Sequence, residues 1–310
     1  LFRSPPRTPA PANLQRPFRA MDAAASGITK RRLYSLEFRR IVRTVHIAAS
    51  APADPLNDAL AVLLVAGEGA FVSHHTAARL YRAVVPDDPR LHASTNATRH
   101  RSRTPGVLVH TSRRRPIEYR GVPVTSPVAT FLDLVPFLGL LDLVILGDSL
   151  VKRGLSTPGI LMAGASTLTK DRRKAKQAAS LVRAGVDSPM ETRLRLLIVL
   201  AGLPEPEVNI EIRDEFGQVV RRIDMGYRAA KLGLEYDGRQ HAESPQQYGS
   251  DVRRREDMSA RDWHEWTAVS NDIFKTPGDT LARIVAVMTR RGMVVPPLKD
   301  DWRPHFPGWS

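Results

Sequence analysis

Two short runs decide how the C-terminal half of this chain folds: Arg222-Ile-Asp-Met-Gly-Tyr227 and Leu232-Gly-Leu-Glu-Tyr-Asp-Gly238, joined by Arg228-Ala-Ala-Lys231. Both alternate apolar and polar residues, the period of a half-buried strand. A hairpin with Tyr227 opposite Leu232 sorts every side chain. One face carries Ile223 with Tyr236, Met225 with Leu234 and Tyr227 with Leu232. The other carries Arg222 with Asp237, Asp224 with Glu235 and Gly226 with Gly233. A one-residue slip would invert both faces, so this register is strongly specified.

The polar face sets Asp224 directly across from Glu235, with Cβ atoms ~5 Å apart. The repulsion is below ~1 kcal/mol in water and ~3 kcal/mol at an effective dielectric of ~20. A divalent cation reverses its sign. Asp237 follows Glu235 on the same face, so three carboxylates surround one spot, the ligand type that magnesium takes. The opposed glycines leave room beside them. An edge hairpin with a solvated polar face and an Arg222–Asp237 ion pair explains the same pattern, and spacing leaves both readings open.

The chain has 310 residues, no cysteine and a net charge of +14. That length suits two or three domains. Without cysteine there are no disulfides or thiolate metal sites, and a reducing compartment is permitted. The apolar run Leu138–Val151 contains Asp142 and Asp148, which reads as a buried helix and not a membrane span. No signal-peptide pattern opens the chain. From Asp187 onward there are 18 basic and 20 acidic residues, whereas the first 186 hold 28 and 12. The electrostatic footprint for a polyanion therefore lies in the N-terminal part. A basic surface of no specific function is the ordinary alternative.

Residues 1–20 are rich in Pro and Arg and read as disordered. The chain begins with Leu1, so Met21 is a candidate start. Residues 21–54 read as a shortened winged-helix-like unit, with Thr29 capping a short helix and one basic strand from Arg39 to Ile47. Arg31, Arg32, Arg39, Arg40 and Arg43 are within reach of phosphates there, a contact that needs only charge and reach. A mixed α/β region occupies 55–165, with helices over Pro55–Ala66, His74 to about Ala83, Ser126–Val135 and Gly139–Arg153, a further short one from Pro158, and strands near 90–94, 106–111 and 121–125. His74 and His75 are adjacent, do not share a helix face and read as first-turn residues. Arg99, Arg101 and Arg103, and then Arg113–Arg115, form basic loops able to track a nucleic-acid backbone.

Residues 166–187 read as a basic connector, within which Ala175 to Ala184 can be helical. Ser188-Pro-Met-Glu191 opens the next domain as a capping box with Pro at the first helical position, which by itself explains Glu191. A catalytic or supporting role for Glu191 is the second reading. A strand at 208–213, the hairpin, a helix from Ser244 to about Asp262, a strand near 266–270 and a helix over 277–291 complete a domain spanning 188–292. A loose tail covers 293–310. The chain is thus α+β or α/β, and its C-terminal domain has the order αβββαβα.

That order, with Asp224 on the second strand and Glu235-Tyr-Asp-Gly-Arg-Gln-His241 on the third, resembles the restriction-endonuclease-like PD-(D/E)XK fold, and more closely the DUF559 domain related to very-short-patch-repair endonucleases. Ser188, Glu191, Arg195, Asp251 and Arg254 also match. The resemblance implies Asp224, Glu235 and Asp237 as magnesium or manganese ligands, His241 as a residue that positions or activates water, and Arg254 as a nucleic-acid contact. It departs at Asp237, where the motif's lysine would stand. Residues 27–165 resemble the AbiEi-type antitoxin region that precedes such domains, through Gly27–Ile47, Ser73-His-His-Thr-Ala-Ala78, Gly121-Val-Pro-Val-Thr-Ser126 and Thr130-Phe-Leu-Asp133, with Thr44 and His46 in place of the usual Gly and Tyr. The expectation is a cytoplasmic, metal-dependent DNA endonuclease or nickase. The alternative is a non-catalytic DNA-binding regulator of antitoxin type, paired with a toxin or defence-system partner.

Overall fold

A computed structural model of the chain describes residues 12–96, 104–238, 258–306 and 308. The chain divides into two units, residues 1–137 and 138–310.

The first unit opens on a three-stranded sheet of order β1-β3-β2, with β1 Phe18–Arg19, β2 Phe38–Val42 and β3 Val45–Ala48. Helix α1 is one turn, Lys30–Leu33, capped by Thr29, whose Oγ1 accepts from Arg32 N. Two expectations change here. Residues 12–20 belong to the fold: Leu14 is buried with Ile28, Leu33 and Phe38, and Phe18 meets Phe38 edge to face with centroids 5.7 Å apart. The single strand expected over 39–47 is instead a hairpin that turns at Arg43–Thr44. Val42 pairs with Val45 across that turn and both are buried, so apolar spacing alone could not reveal the break.

Beyond it, α2 Pro55–Ala66, β4 Phe71–Val72, α3 His74–Leu80, β5 Leu91–Thr95, β6 Val107–Thr111, β7 Ile117–Tyr119, β8 Val122–Val124 and α4 Pro127–Leu134 follow. The strands form a mixed sheet of order β6-β5-β4-β8-β7.

The second unit starts with α5 Leu140–Lys152, α6 Pro158–Ser166, α7 Arg172–Leu181 and α8 Pro189–Leu200. The helix expected within the connector forms three residues earlier, over Arg172–Leu181, and it packs: Ala175, Ala178 and Ala179 form its buried stripe. The unit begins some fifty residues before Ser188 because α5 and α8 are tied by a buried ion pair. The fully buried Arg195 donates to Asp148 Oδ2 at 3.0 Å and reaches Glu205 Oε1 at 3.3 Å. Asp148 also accepts from Thr192 Oγ1 and from Arg183 N, each at 2.8 Å.

The sheet that follows has order β12-β11-β10-β9, with β9 Glu207–Arg213, β10 Val219–Tyr227, β11 Leu232–Tyr236 and β12 His264–Ala268. The first three run antiparallel and β12 is parallel to β11. Helices α9 Ser270–Phe274 and α10 Pro277–Arg290 close the order. The tail expected to be loose is docked: Trp302 and Phe306 are buried, and Lys299 N donates to Ala201 O at 2.9 Å.

Arg195→Met should lower the free energy of unfolding by about 3–5 kcal/mol, because it strands Asp148 in the interior. The double variant Arg195→Met with Asp148→Asn should lose clearly less than the single one. Urea midpoints of the two variants and the parent measure this non-additivity.

Candidate functional site

The hairpin forms in the register read from its sequence, with Met225 opposite Leu234, Gly226 opposite Gly233 and Tyr227 opposite Leu232. Beyond Met225 it departs from strict alternation. A Cβ added to Gly233 would lie 2.9 Å from Ile223 Cγ2, so Ile223 covers the glycine instead of sharing a face with Met225. The direction of the side chains flips at Asp224. Its carboxylate explains how: Oδ2 accepts from Tyr236 N at 2.9 Å, and the backbone ladder to β11 ends at Met225–Leu234. Asn209, which lies level with Asp224 on β9, has φ of +51°. Both strands are therefore irregular at the same level.

The flip has three consequences. The space beside the glycines is not open, since Ile223 fills it. Gly226 is required by closeness, because a Cβ there would stand 2.2 Å from Leu232 O. The expected Arg222–Asp237 pair gives way to Arg222 with Glu211 at 3.3 Å. Arg221, on the same side as Ile223, is the residue that reaches the carboxylates. It binds both oxygens of Glu235, at 2.6 and 2.7 Å, and Glu265 Oε1 at 3.0 Å.

Glu191 lies in the first turn of α8, where it closes a capping arrangement. Ser188 Oγ accepts from Glu191 N at 3.2 Å, and Glu191 Oε2 accepts from Asp187 N at 2.8 Å. Burial pushes the Glu191 carboxyl upward, opposed by the Asp187 N–H, and the charge of Asp224 adds to the rise. Burial likewise raises Asp224, opposed by the Tyr236 N–H and by Arg221. Glu235 is pushed up to about 7, first by burial and then, against the pull of Arg221, by Glu265 and Asp224. A bidentate arginine ordinarily holds a carboxylate low. Here burial outweighs that pull at Glu235, and the one guanidinium is shared with Glu265.

Asp224, Glu235 and Asp237 thus lie on neighbouring strands or just past them, with Asp237 N donating to Ala268 O at 2.8 Å. Their ligand atoms do not converge as a ready-made triad. Among the described residues, three-ligand groups within 4.8 Å occur at His74, His92 and His110 and at His75, Asp88 and His92. The hairpin fits a hard dication in donor type and in charge. Asp224 Oδ1 makes no hydrogen bond among the described residues, and an ion would have to draw Glu235 away from Arg221. His241, Arg254, Arg99, Arg101 and Arg103 lie outside the described residues.

Of the N-terminal arginines, Arg31, Arg40 and Arg43 are exposed. Arg32 is paired with Glu37 at 2.8 Å, and Arg39 donates to Pro52 O at 3.5 Å.

The first unit holds a cluster that the sequence reading did not assemble. His74, His75 and His92 are buried, and His110 stacks on His74 with centroids 3.7 Å apart. His92 and His110 sit two positions out of register on the parallel pair β5–β6 and share one face. That placement was the available signal, but it needed the strand pairing to be known.

A scan against protein-family models finds no match to this chain, and a search of the curated proteins finds none either. The likeness to the DUF559 and AbiEi regions rests on its residues alone. Among the described residues no helix is long and apolar enough to cross a membrane.

In the metal-free protein, carboxyl NMR should place the Glu235 titration near pH 7. The folded carboxyl then binds its proton more tightly than the unfolded chain, so stability falls as pH rises from about 4.5 to 7 and levels off above. The loss contributed by Glu235 is at most about 3 kcal/mol. Glu235→Gln should flatten this part of the stability–pH curve.

Proposed function

We propose that the second unit hydrolyses phosphodiester bonds in DNA with the help of a divalent cation, and that the basic first unit holds the nucleic acid. The observation that carries this reading is the position of Asp224 at the break in the hairpin, bonded to Tyr236 N and near Glu191 and Glu235, carboxyls that burial first and its charge in addition push upward. Carboxylates kept together out of water at this cost are characteristic of functional sites. The order of α8, three antiparallel strands and a parallel fourth supports it, as does the resemblance already drawn.

Asp224 through Oδ1 and Glu235 are the residues that would hold magnesium or manganese, with Asp237 beside them. The ion, when bound, supplies charge stabilisation at the phosphate and a more acidic water. The protein's own contribution is to fix Asp224 through Tyr236 N–H and to hold Glu235 beside it, paired with Arg221 until an ion takes that place. Arg221, once released from Glu235, remains on Glu265 as a local cation.

One observation favours a second reading. Arg221 already occupies both oxygens of Glu235, as a substitute for a metal would. A non-catalytic DNA-binding regulator of antitoxin type, with a nuclease-like unit held shut by Arg221, accounts for that pair.

Supercoiled plasmid incubated with the protein in magnesium or manganese should be nicked, and Asp224→Ala should lose at least ~100-fold of that activity while keeping its DNA affinity. Intact plasmid, with an equal salt-sensitive gel shift for both proteins, would sink the nuclease reading in favour of the regulator. Separately, replacing Arg31, Arg40 and Arg43 together by Ala should weaken DNA binding. The dependence of log affinity on log salt should become shallower by about 2 to 3, as expected for three lost phosphate contacts. An unchanged slope would remove this face from the interface.

A further inference from the structure

The histidine cluster of the first unit contains a set of anomalies that one ion resolves. His75 lies on α3, Asp88 in the segment before β5 and His92 on β5, and all three are more than nine-tenths buried. His75 Nδ1 and His92 Nε2 are buried without a hydrogen-bond partner. Asp88 Oδ2 lies 3.2 Å from His92 Nε2, within ion-pair distance. One ligand atom from each of the three falls within 4.8 Å of the others. A buried polar atom left unsatisfied costs about 1–3 kcal/mol, and native interiors rarely leave two side by side.

We infer that His75, His92 and Asp88 form a binding site for a zinc-like transition-metal ion. Ligand atoms around a tetrahedral zinc stand ~3.3 Å apart, given bonds of ~2.0–2.1 Å. The Asp88–His92 contact already has that separation, and it reads as the edge of a coordination polyhedron. The rings of His75 and His92 are tilted by 45° with centroids 5.0 Å apart, so their in-plane lone pairs are able to converge.

The surroundings supply what such ligands need behind them. His92 Nδ1 lies 3.1 Å from His110 Nε2, and with His92 as the donor its Nε2 is left unprotonated for an ion. Asp88 is oriented by Arg90, whose backbone N and Nε each stand 2.9 Å from Oδ1 and whose terminal nitrogen stands 2.7 Å from Oδ2. Arg79 donates at 2.8 Å to the carbonyl of Asp88. These two cations offset the single carboxylate. The site therefore depends on imidazole nitrogen, which favours zinc, cobalt or nickel over magnesium and calcium.

The neighbouring group His74, His92 and His110 is the competing arrangement, and its geometry is poorer. His74 and His110 stack nearly parallel, at 16°. Their lone pairs run side by side and do not meet. His74 Nδ1 already contacts Ser73 Oγ at 2.9 Å, and His92 Nδ1 is taken by His110.

The ion would tie α3 to β5 as a buried structural site, separate from the hairpin carboxylates. The test uses the full chain, stripped with a chelator and dialysed, then titrated with Co2+ and displaced by Zn2+. The expected result is one equivalent of cobalt with the visible absorption of a four-coordinate ion, no competition from magnesium, and a higher melting temperature with zinc. His75→Leu and Asp88→Asn should each weaken binding at least tenfold, whereas His74→Leu and Asp224→Ala should keep it. His75→Leu removes the unpartnered Nδ1 while keeping an apolar side chain in the pocket, so its metal-free melting temperature should stay close to the parent's. Asp88→Asn preserves shape and serves as the independent variant. Absence of stoichiometric binding overturns the inference, as does binding that survives His75→Leu. So does binding lost in His74→Leu but kept in His75→Leu, which would move the ion to the stacked histidines.

Discussion

A guanidinium with no exposed surface has to be answered by charge, and the second unit is arranged around that requirement. Arg195 projects from α8 to Asp148 on α5 and to Glu205 just ahead of β9. Asp148 in turn takes Thr192 of α8 and the backbone of Arg183. One ion pair thus fixes a helix, the layer beneath it and the entry to the sheet. Such a pair adds little net stability compared with apolar packing, but losing half of it is severe. Its value is in fixing one arrangement of α8, and α8 sets Glu191 where it senses Asp224.

The hairpin shows how a polar side chain redirects a strand. Asp224 takes an N–H that backbone pairing would otherwise use, and beyond it the faces exchange. Ile223 then covers Gly233, and Arg221 comes to the carboxylates where Arg222 was expected. The result is a group with one cation among several acids.

Local alternation was enough to read the hairpin register residue by residue from Met225 to Leu234, and to place the caps at Thr29, Ser126 and Ser188. It failed where a distant partner decided the outcome. The Asp224–Tyr236 bond is a tertiary choice that periodicity cannot express. The helix of α7 was legible from Ala175 onward, but not that its alanine stripe is buried. The tail is held by Trp302 and Phe306, two aromatic anchors in a stretch with no helical or strand periodicity. The histidines were visible singly, but their convergence depends on β5 lying parallel to β6 and on α3 packing over both, which involves residues up to 36 positions apart.

The burial of Arg195 also bears on how this chain could have been assembled. A recombination boundary just before Ser188, where the capping box looks like a natural seam, would separate the arginine from Asp148 and leave the aliphatic side of α8 without its cover. Residues 138–187 therefore belong to the same compact unit as the sheet that follows them. The seam available to gene fusion in this half lies upstream, near Phe137 and Leu138, so the heritable module is larger than the motif-bearing segment by which it would be recognised.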